Sequence, residues 1–160
     1  VAVLPIITGE SAPVLRKKTT NIPTVTKDIL RLLKDMDDTL RDAEGAGIAA
    51  PQIGQSLRMC IAIINGRHTP IINPKITQKS KETDTMEEGC LSLPKIWLPI
   101  TRSVGITLVY TDAKGKEQER KLEGFNARVV QHELDHLDGI LITDYPQSAE
   151  ATASKEHLKM

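Results

Sequence analysis

The sequence predicts an α+β fold: antiparallel or mixed β-sheets packed around a central helix in the C-terminal half, with an amphipathic helix near the N-terminus. Two observations carry this expectation. Apolar residues recur at helical spacing in two well-separated segments, and the chain between them consists of short β-branched runs without alternating β-α-β order. In residues 26–43, Ile29, Leu32, Leu33, Met36 and Leu40 form one stripe, with Asp35, Asp37, Asp38 and Arg41 between them. Gly45 is expected to end that helix, and a shorter helical turn is expected at residues 11–17. Beyond Gly54, the runs LRMCIAII, TPIINPKI and SVGITLVYTD are separated by NG, NP and AKG breakers, and residues 104–122 read as a hairpin turning at 112–115. The helical period returns over residues 124–139, where Phe125, Val129, His132 and His136 share a stripe beside one formed by Val130, Leu134 and Leu137.

Composition narrows the function classes. The 160 residues read as a single domain, 1–160, with a polar tail from residue 147 that is expected to be a loose helix or a frayed end. Twenty-one acidic residues balance twenty-one basic ones, so no strong field steers the chain toward nucleic acid or anionic lipid. Trp97, Tyr110, Phe125 and Tyr145 are the only aromatic residues, too few for a single-strand stacking platform. The longest apolar stretch, Met59–Ile64, is far too short to cross a membrane, and the opening residues lack the basic region of a signal peptide. Two cysteines, Cys60 and Cys90, make no disulfide framework and fit a reducing compartment.

The strongest chemical signal is His132-Glu133-Leu134-Asp135-His136. Residues four apart lie one helical turn apart on one face, so two imidazoles can reach one metal, and Glu133 projects from the adjoining stripe toward a bound water. The alternative is a pair of surface histidines on a salt-bridged helix. A catalytic metal needs a further protein ligand and an open position. Position 142, where one zincin class places a histidine, is Ile142, and an acid well downstream falls at Glu156 in the polar tail. Cys90, in Glu88-Gly89-Cys90-Leu91-Ser92, supplies a thiolate that completes a three-ligand set with the imidazoles, although a lone cysteine is often a small core residue, the reading that Cys60 takes. His68 and His157 read as solvated. The segment Gly45-Ala46-Gly47-Ile48-Ala49-Ala50-Pro51-Gln52 lacks a phosphate-loop register, but its small residues allow close backbone approach, and Gln52 suits oxyanion stabilisation.

Together GxGxAAxQ, EGCLS and QHExDH, in this order and at these spacings, resemble peptide deformylase; the opening LPIIT and LRKK strings extend the resemblance over nearly the whole chain. That resemblance implies a hydrolase releasing formate from N-formylmethionyl peptides and nascent chains, at the ribosome in a bacterial cytoplasm or in an organelle. It implies metal ligation by Cys90, His132 and His136, a general base in Glu133, and oxyanion donors in Gln52 and the backbone N–H of Leu91. It implies one divalent ion per chain: Fe²⁺ natively, oxidised easily in air, with Zn²⁺, Ni²⁺ or Co²⁺ in purified protein. The substrate-binding positions it implies are Gly45, Ala46, Gly47, Met86, Glu88, Gly89, Trp97, Phe125, Arg128 and Val129. Arg128 is expected to cover the pocket wall with its stem while its guanidinium stays in water or pairs with an acid at the rim. Trp97 stands where many members carry a charged or polar residue, as a lid or a packing residue; flanking Ile96, Leu98 and Ile100 favour packing. Asp135 is expected to tie down the helix or to be solvated. The other readings are a small HExxH endopeptidase, which needs a downstream ligand, and a silent binding protein, whose mark would be loss of Glu133, Gln52 or a ligand.

Overall fold

A computed structural model describes residues 2–147 and, for the backbone, Leu158–Lys159. Its elements run α1 (Pro13–Arg16), α2 (Lys27–Ala43), β1 (Gly47–Ala49), a 3₁₀ turn (Ala50–Ile53), β2 (Met59–Ile64), β3 (Arg67–Lys79), β4 (Thr83–Cys90), β5 (Leu93–Ser103), β6 (Gly105–Thr111), β7 (Glu117–Glu123), α3 (Gly124–Leu137), a 3₁₀ turn (Ile142–Asp144) and β8 (Leu158–Lys159). Five strands form one sheet in the order β1-β2-β3-β6-β7, and three form another in the order β5-β4-β8. All strand pairs are antiparallel except β4 with β8, which run parallel. The expected α+β architecture is therefore present.

Strand β2 explains how the layers stack. Successive side chains of a strand point to opposite faces. Met59 and Ile61 pack with Leu33, Met36 and Leu40 of α2, whereas Cys60, Ala62 and Ile64 pack with Ala127, Val130, Leu134 and Leu137 of α3. The run MCIAII is apolar on both faces because a helix covers each face. Cys60 is the core residue the sequence indicates. A third cluster of Cys90, Leu93, Ile100, Leu141 and Ile142 joins the smaller sheet to the chain leaving α3.

Helix α2 begins where Thr26 Oγ1 accepts a hydrogen bond from Ile29 N at 3.3 Å. Its end departs from expectation: Glu44, not Gly45, takes the left-handed cap conformation, with φ 54°. Gly45 is small for another reason, since a Cβ there would lie 3.0 Å from Leu91 Cδ1. The turn at 112–115 forms as expected, with Asp112 Oδ1 accepting from the backbone N–H groups of Lys114 and Lys116. Strands β4 and β5, which the β-branched runs did not reveal, are the chief addition. The tail expectation lies mostly outside the described residues; within it, Leu158–Lys159 are extended, opposite Glu88 and Gly89.

Candidate metal centre

Two elements bring the chemistry together. Strand β4 ends at Cys90, and α3 carries both histidines and Glu133. The ligand-capable atoms of Cys90, His132 and His136 all lie within 4.8 Å of one another, and all three residues are buried. Cys90 Sγ is 3.3 Å from His136 Nε2, and the two imidazoles meet edge to face at 5.0 Å between centroids. His132 Nε2 and His136 Nδ1 are buried without a hydrogen-bond partner among the described residues. Buried polar atoms are ordinarily satisfied. One thiolate and two imidazoles converging on a common point, with the ring nitrogen of His132 left unpaired, suit a borderline divalent ion.

The other imidazole nitrogen of His132 is held. Its Nδ1 lies 3.0 Å from Glu88 Oε1, the carboxylate contact that fixes ring orientation in metal-ligating histidines. Glu88 is wholly buried, and Arg102 grips it through Nε to Oε2 at 2.7 Å and Nη2 to Oε1 at 2.9 Å. Burial alone would raise this carboxyl, but the His132 and Arg102 contacts outweigh it and hold the pKa at about 2. Arg102 Nη1 also reaches Asp135 Oδ2 at 3.0 Å, and Tyr145 Oη donates to the same oxygen at 2.5 Å. Asp135 therefore ties α3 down and is not merely solvated.

Glu133 sits beside this centre, fully buried, with neither carboxylate oxygen hydrogen-bonded among the described residues. Burial pushes its pKa up to about 7 against the pull of His132 and Arg102. A carboxyl poised near neutrality can both take and return a proton. Strand β1 passes directly over it: a Cβ on Gly47 would fall 2.5 Å from Glu133 Oε2. Only glycine permits that approach.

Gln52, in the turn after β1, is fully buried. Its Oε1 accepts from Ala49 N at 2.9 Å, which fixes the amide, and its Nε2 donates to Ser92 Oγ at 3.1 Å. An amide nitrogen has two hydrogens. The second is turned toward Cys90 Sγ, 4.0 Å away, so Gln52 presents a donor at the edge of the thiol-imidazole cluster. Leu91, 9% exposed, follows Cys90 in the tight turn before β5.

The remaining expected positions spread more widely. Ala46 packs against the cluster that contains Val129, while Met86 is half-buried and Phe125 is 49% exposed. Gly89 faces Trp97 across the β4–β5 ladder, and a Cβ there would meet the indole at 2.6 Å. Trp97 is thus a packing residue against the ligand strand. Arg128 does pair with an acid at the rim, the half-exposed Asp84, but its side chain is 2% exposed and its other nitrogen pairs with buried Glu88, so the guanidinium is not in water. His68 is also corrected; it lies in β3 with Nδ1 2.6 Å from Asp37 Oδ1. His157 and Glu156 lie outside the described residues. Arg102, Ser92 and Tyr145 were not singled out from the sequence. The available signal was a lone arginine in an otherwise apolar stretch, and it stands directly opposite Asp84 in the ladder.

Comparison with known proteins gives a consistent result. The family described as polypeptide deformylase matches residues 3–152. A peptide deformylase of Pseudothermotoga lettingae is 42% identical over 146 residues, covering 91% of this chain and 85% of that protein. One from Rhizobium meliloti is 43% identical over 138 residues, covering 83% of this chain and 79% of its own length. Among solved structures, the peptide deformylase of Thermotoga maritima superposes with a TM-score of 0.89 at 36% identity, covering 92% of this chain and 100% of that one. That of Ehrlichia chaffeensis in complex with actinonin gives 0.89 at 33% identity, covering 92% and 91%.

Proposed function

Because the chain belongs to the polypeptide deformylase family, it is a hydrolase that removes the formyl group from the N-terminus of newly made proteins, and we propose that Cys90, His132 and His136 hold its divalent ion while Glu133 is the general base. The observation that carries this reading is the buried thiol-imidazole cluster with an unpartnered carboxylate beside it. The donor set fits such an ion, which when bound supplies Lewis acidity toward the formamide carbonyl and lowers the pKa of water from about 15.7 toward 7.

The chain's own residues do the rest. Glu133, near neutrality, takes a proton from the attacking water as its oxygen bonds to the formyl carbon, then delivers that proton to the amide nitrogen as the C–N bond breaks. Formate and a free amine leave. Gln52 Nε2 and the backbone N–H of Leu91 donate to the carbonyl oxygen as negative charge develops on it. The amide of Gln52 needs no reorientation for this, because Ala49 and Ser92 already hold it. Glu88 keeps His132 in the tautomer that offers Nε2.

We assign Fe²⁺ as the natural occupant, with Zn²⁺, Ni²⁺ or Co²⁺ replacing it in aerobic preparations. We also assign residues 1–160 to one catalytic domain acting in a bacterial cytoplasm on nascent chains at the ribosome. Pseudothermotoga lettingae and Rhizobium meliloti, the sources of the similar proteins, are bacteria, and no described helix is long and apolar enough to cross a membrane. Gly45 and Gly47, beside and in the edge strand β1, are assigned to a strand edge for the substrate backbone.

Anaerobically metal-loaded protein should release formate from formyl-Met-Ala-Ser. Glu133→Gln should retain the ion and lose about 10²–10⁴-fold in kcat; unchanged turnover would reject the general-base role. Cys90→Ser with undiminished metal affinity would reject thiolate ligation.

A further inference from the structure

We propose that Arg128 is a positioning residue whose salt link to Glu88 forms a rung between β4 and α3, holding the Cys90 strand and the His132–His136 helix at ligand spacing before an ion binds. This rests on the ligand assignment above and deepens it. Arg128 precedes His132 by four residues on α3, a rise of about 6 Å. Glu88 precedes Cys90 by two residues on β4, a rise of about 6.7 Å. Glu88 meets both Arg128 and His132, one turn apart on α3, and Cys90, two residues further along β4, meets His136 on the next turn, so the Arg128 link lies directly below the two ligand contacts.

The contacts of Arg128 make the lower rung rigid. Nη1 donates to Glu88 Oε2 at 2.5 Å and to Ile100 O at 2.9 Å. Nη2 donates to Asp84 O at 3.0 Å and to Asp84 Oδ1 at 2.7 Å. One guanidinium of α3 thus bridges both strands of the β4–β5 hairpin. Arg102 cannot replace it, because its bidentate grip on Glu88 lies within that hairpin, and its tie to α3 runs through the partly exposed Asp135. The four acceptor directions of Glu88 are divided: Oε1 serves Arg102 and His132, and Oε2 serves Arg102 and Arg128. Without Arg128, Glu88 keeps its neutralising partner but loses the donor that fixes it relative to α3, and His132 loses a fixed carboxylate. A buried cation at this position is tolerated only with such pairing, which argues that its charged end, not its stem, is what the fold uses.

The test measures metal binding rather than turnover alone. Zn²⁺ affinity is read by chelator competition, and the thiolate-to-cobalt charge-transfer band is read on the Co²⁺ form, for the wild type, Arg128→Met, Arg128→Lys and Asp84→Asn, all well below their unfolding temperatures. Arg128→Met should bind Zn²⁺ about 10–100-fold more weakly and show a shifted or weakened band at saturating Co²⁺. Arg128→Lys, whose ammonium reaches Glu88 Oε2, should recover part of both. Asp84→Asn should bind as the wild type does, because an amide oxygen and the unchanged backbone carbonyl still accept from Arg128 Nη2, and Asp84 does not touch Glu88. Wild-type affinity and spectrum in Arg128→Met would overturn the proposal, as would an equal loss in Asp84→Asn. Should Arg128→Met fail to fold, Arg128→Lys against Arg128→Gln decides: equal affinity in the two overturns the rung, and tighter binding by the lysine variant supports it. A cobalt charge-transfer band that survives Cys90→Ser would instead show that the ligand assignment is at fault.

Discussion

Gly47 and Glu133 offer a direct trial of the proposed base, through a substitution that adds one methyl group. In Gly47→Ala the new Cβ would fall 2.5 Å from Glu133 Oε2 and 2.9 Å from both Cδ and Cγ. Ordinary contact between such atoms is about 3.5–4.0 Å, so the carboxylate must retreat by about 1 Å. Glu133 is fully buried on the helix that packs under the sheet, so it has no solvent to move into. Overpacking of this kind costs about 1–3 kcal/mol, which for a chain of this size lowers Tm by about 3–9 °C. Misplacing a reacting group by about 1 Å costs about 10²-fold in rate. The expected outcome is a moderately destabilised enzyme that keeps its metal and loses about 10²-fold in kcat for formate release from formyl-Met-Ala-Ser. Gly66→Ala serves as the control: its φ of +77° is strained for alanine, but nothing lies within 4 Å, so it should lose about 1–2 kcal/mol without loss of kcat. A Gly47→Ala enzyme with kcat within twofold of wild type would refute the placement of Glu133 beneath β1 or its catalytic role.

Other outcomes follow from the same structure. Glu88, held at about 2 against an ordinary 4.5, stabilises the fold above about pH 4.5, and that stability is lost as pH falls toward 2; a depression of this size in so buried a group is worth about 3 kcal/mol. Acid titrations of denaturation midpoint should show this limb in the wild type and not in Glu88→Gln, which should also be several kcal/mol less stable at pH 7 because Arg102 and Arg128 lose their counter-charge. Glu44→Gly should raise stability by about 0.5–1 kcal/mol in urea titration, since glycine accepts the left-handed cap without strain. Leu108→Ala, in the core between α3 and the larger sheet, should cost about 2–5 kcal/mol with an unchanged urea m-value.

The sequence exposed those features whose signal is local. The stripe of Leu33, Met36 and Leu40 declares α2, and the four-residue spacing of His132 and His136 declares a ligand face, because both patterns repeat with the helix itself. Strand β4 was hidden because TDTMEEGC is acidic and poor in β-branched residues, and its pairing depends on β5 and on distant arginines. Buried charges are the hardest to read: Glu88, Arg102 and Arg128 look like surface residues until chain segments 14 and 40 residues apart meet. The same reason misplaced His68, whose partner Asp37 lies on α2, across the sheet from α3. Arg128 keeps the expected pairing with a rim acid, Asp84, but its guanidinium is buried, because Glu88 beneath it holds the other nitrogen inward.

The stacking of Trp97 on Gly89 equips the molecule with a built-in optical probe. The chain contains a single indole, and that indole lies against the residue next to Cys90, so its emission comes from one known place. Paramagnetic ions captured at the thiol should quench it, while Zn²⁺ should not. A titration followed at one wavelength can therefore report capture of a paramagnetic ion, and its displacement by Zn²⁺, without labelling, and a peptide entering along the ligand strand should shift the same signal in stopped flow.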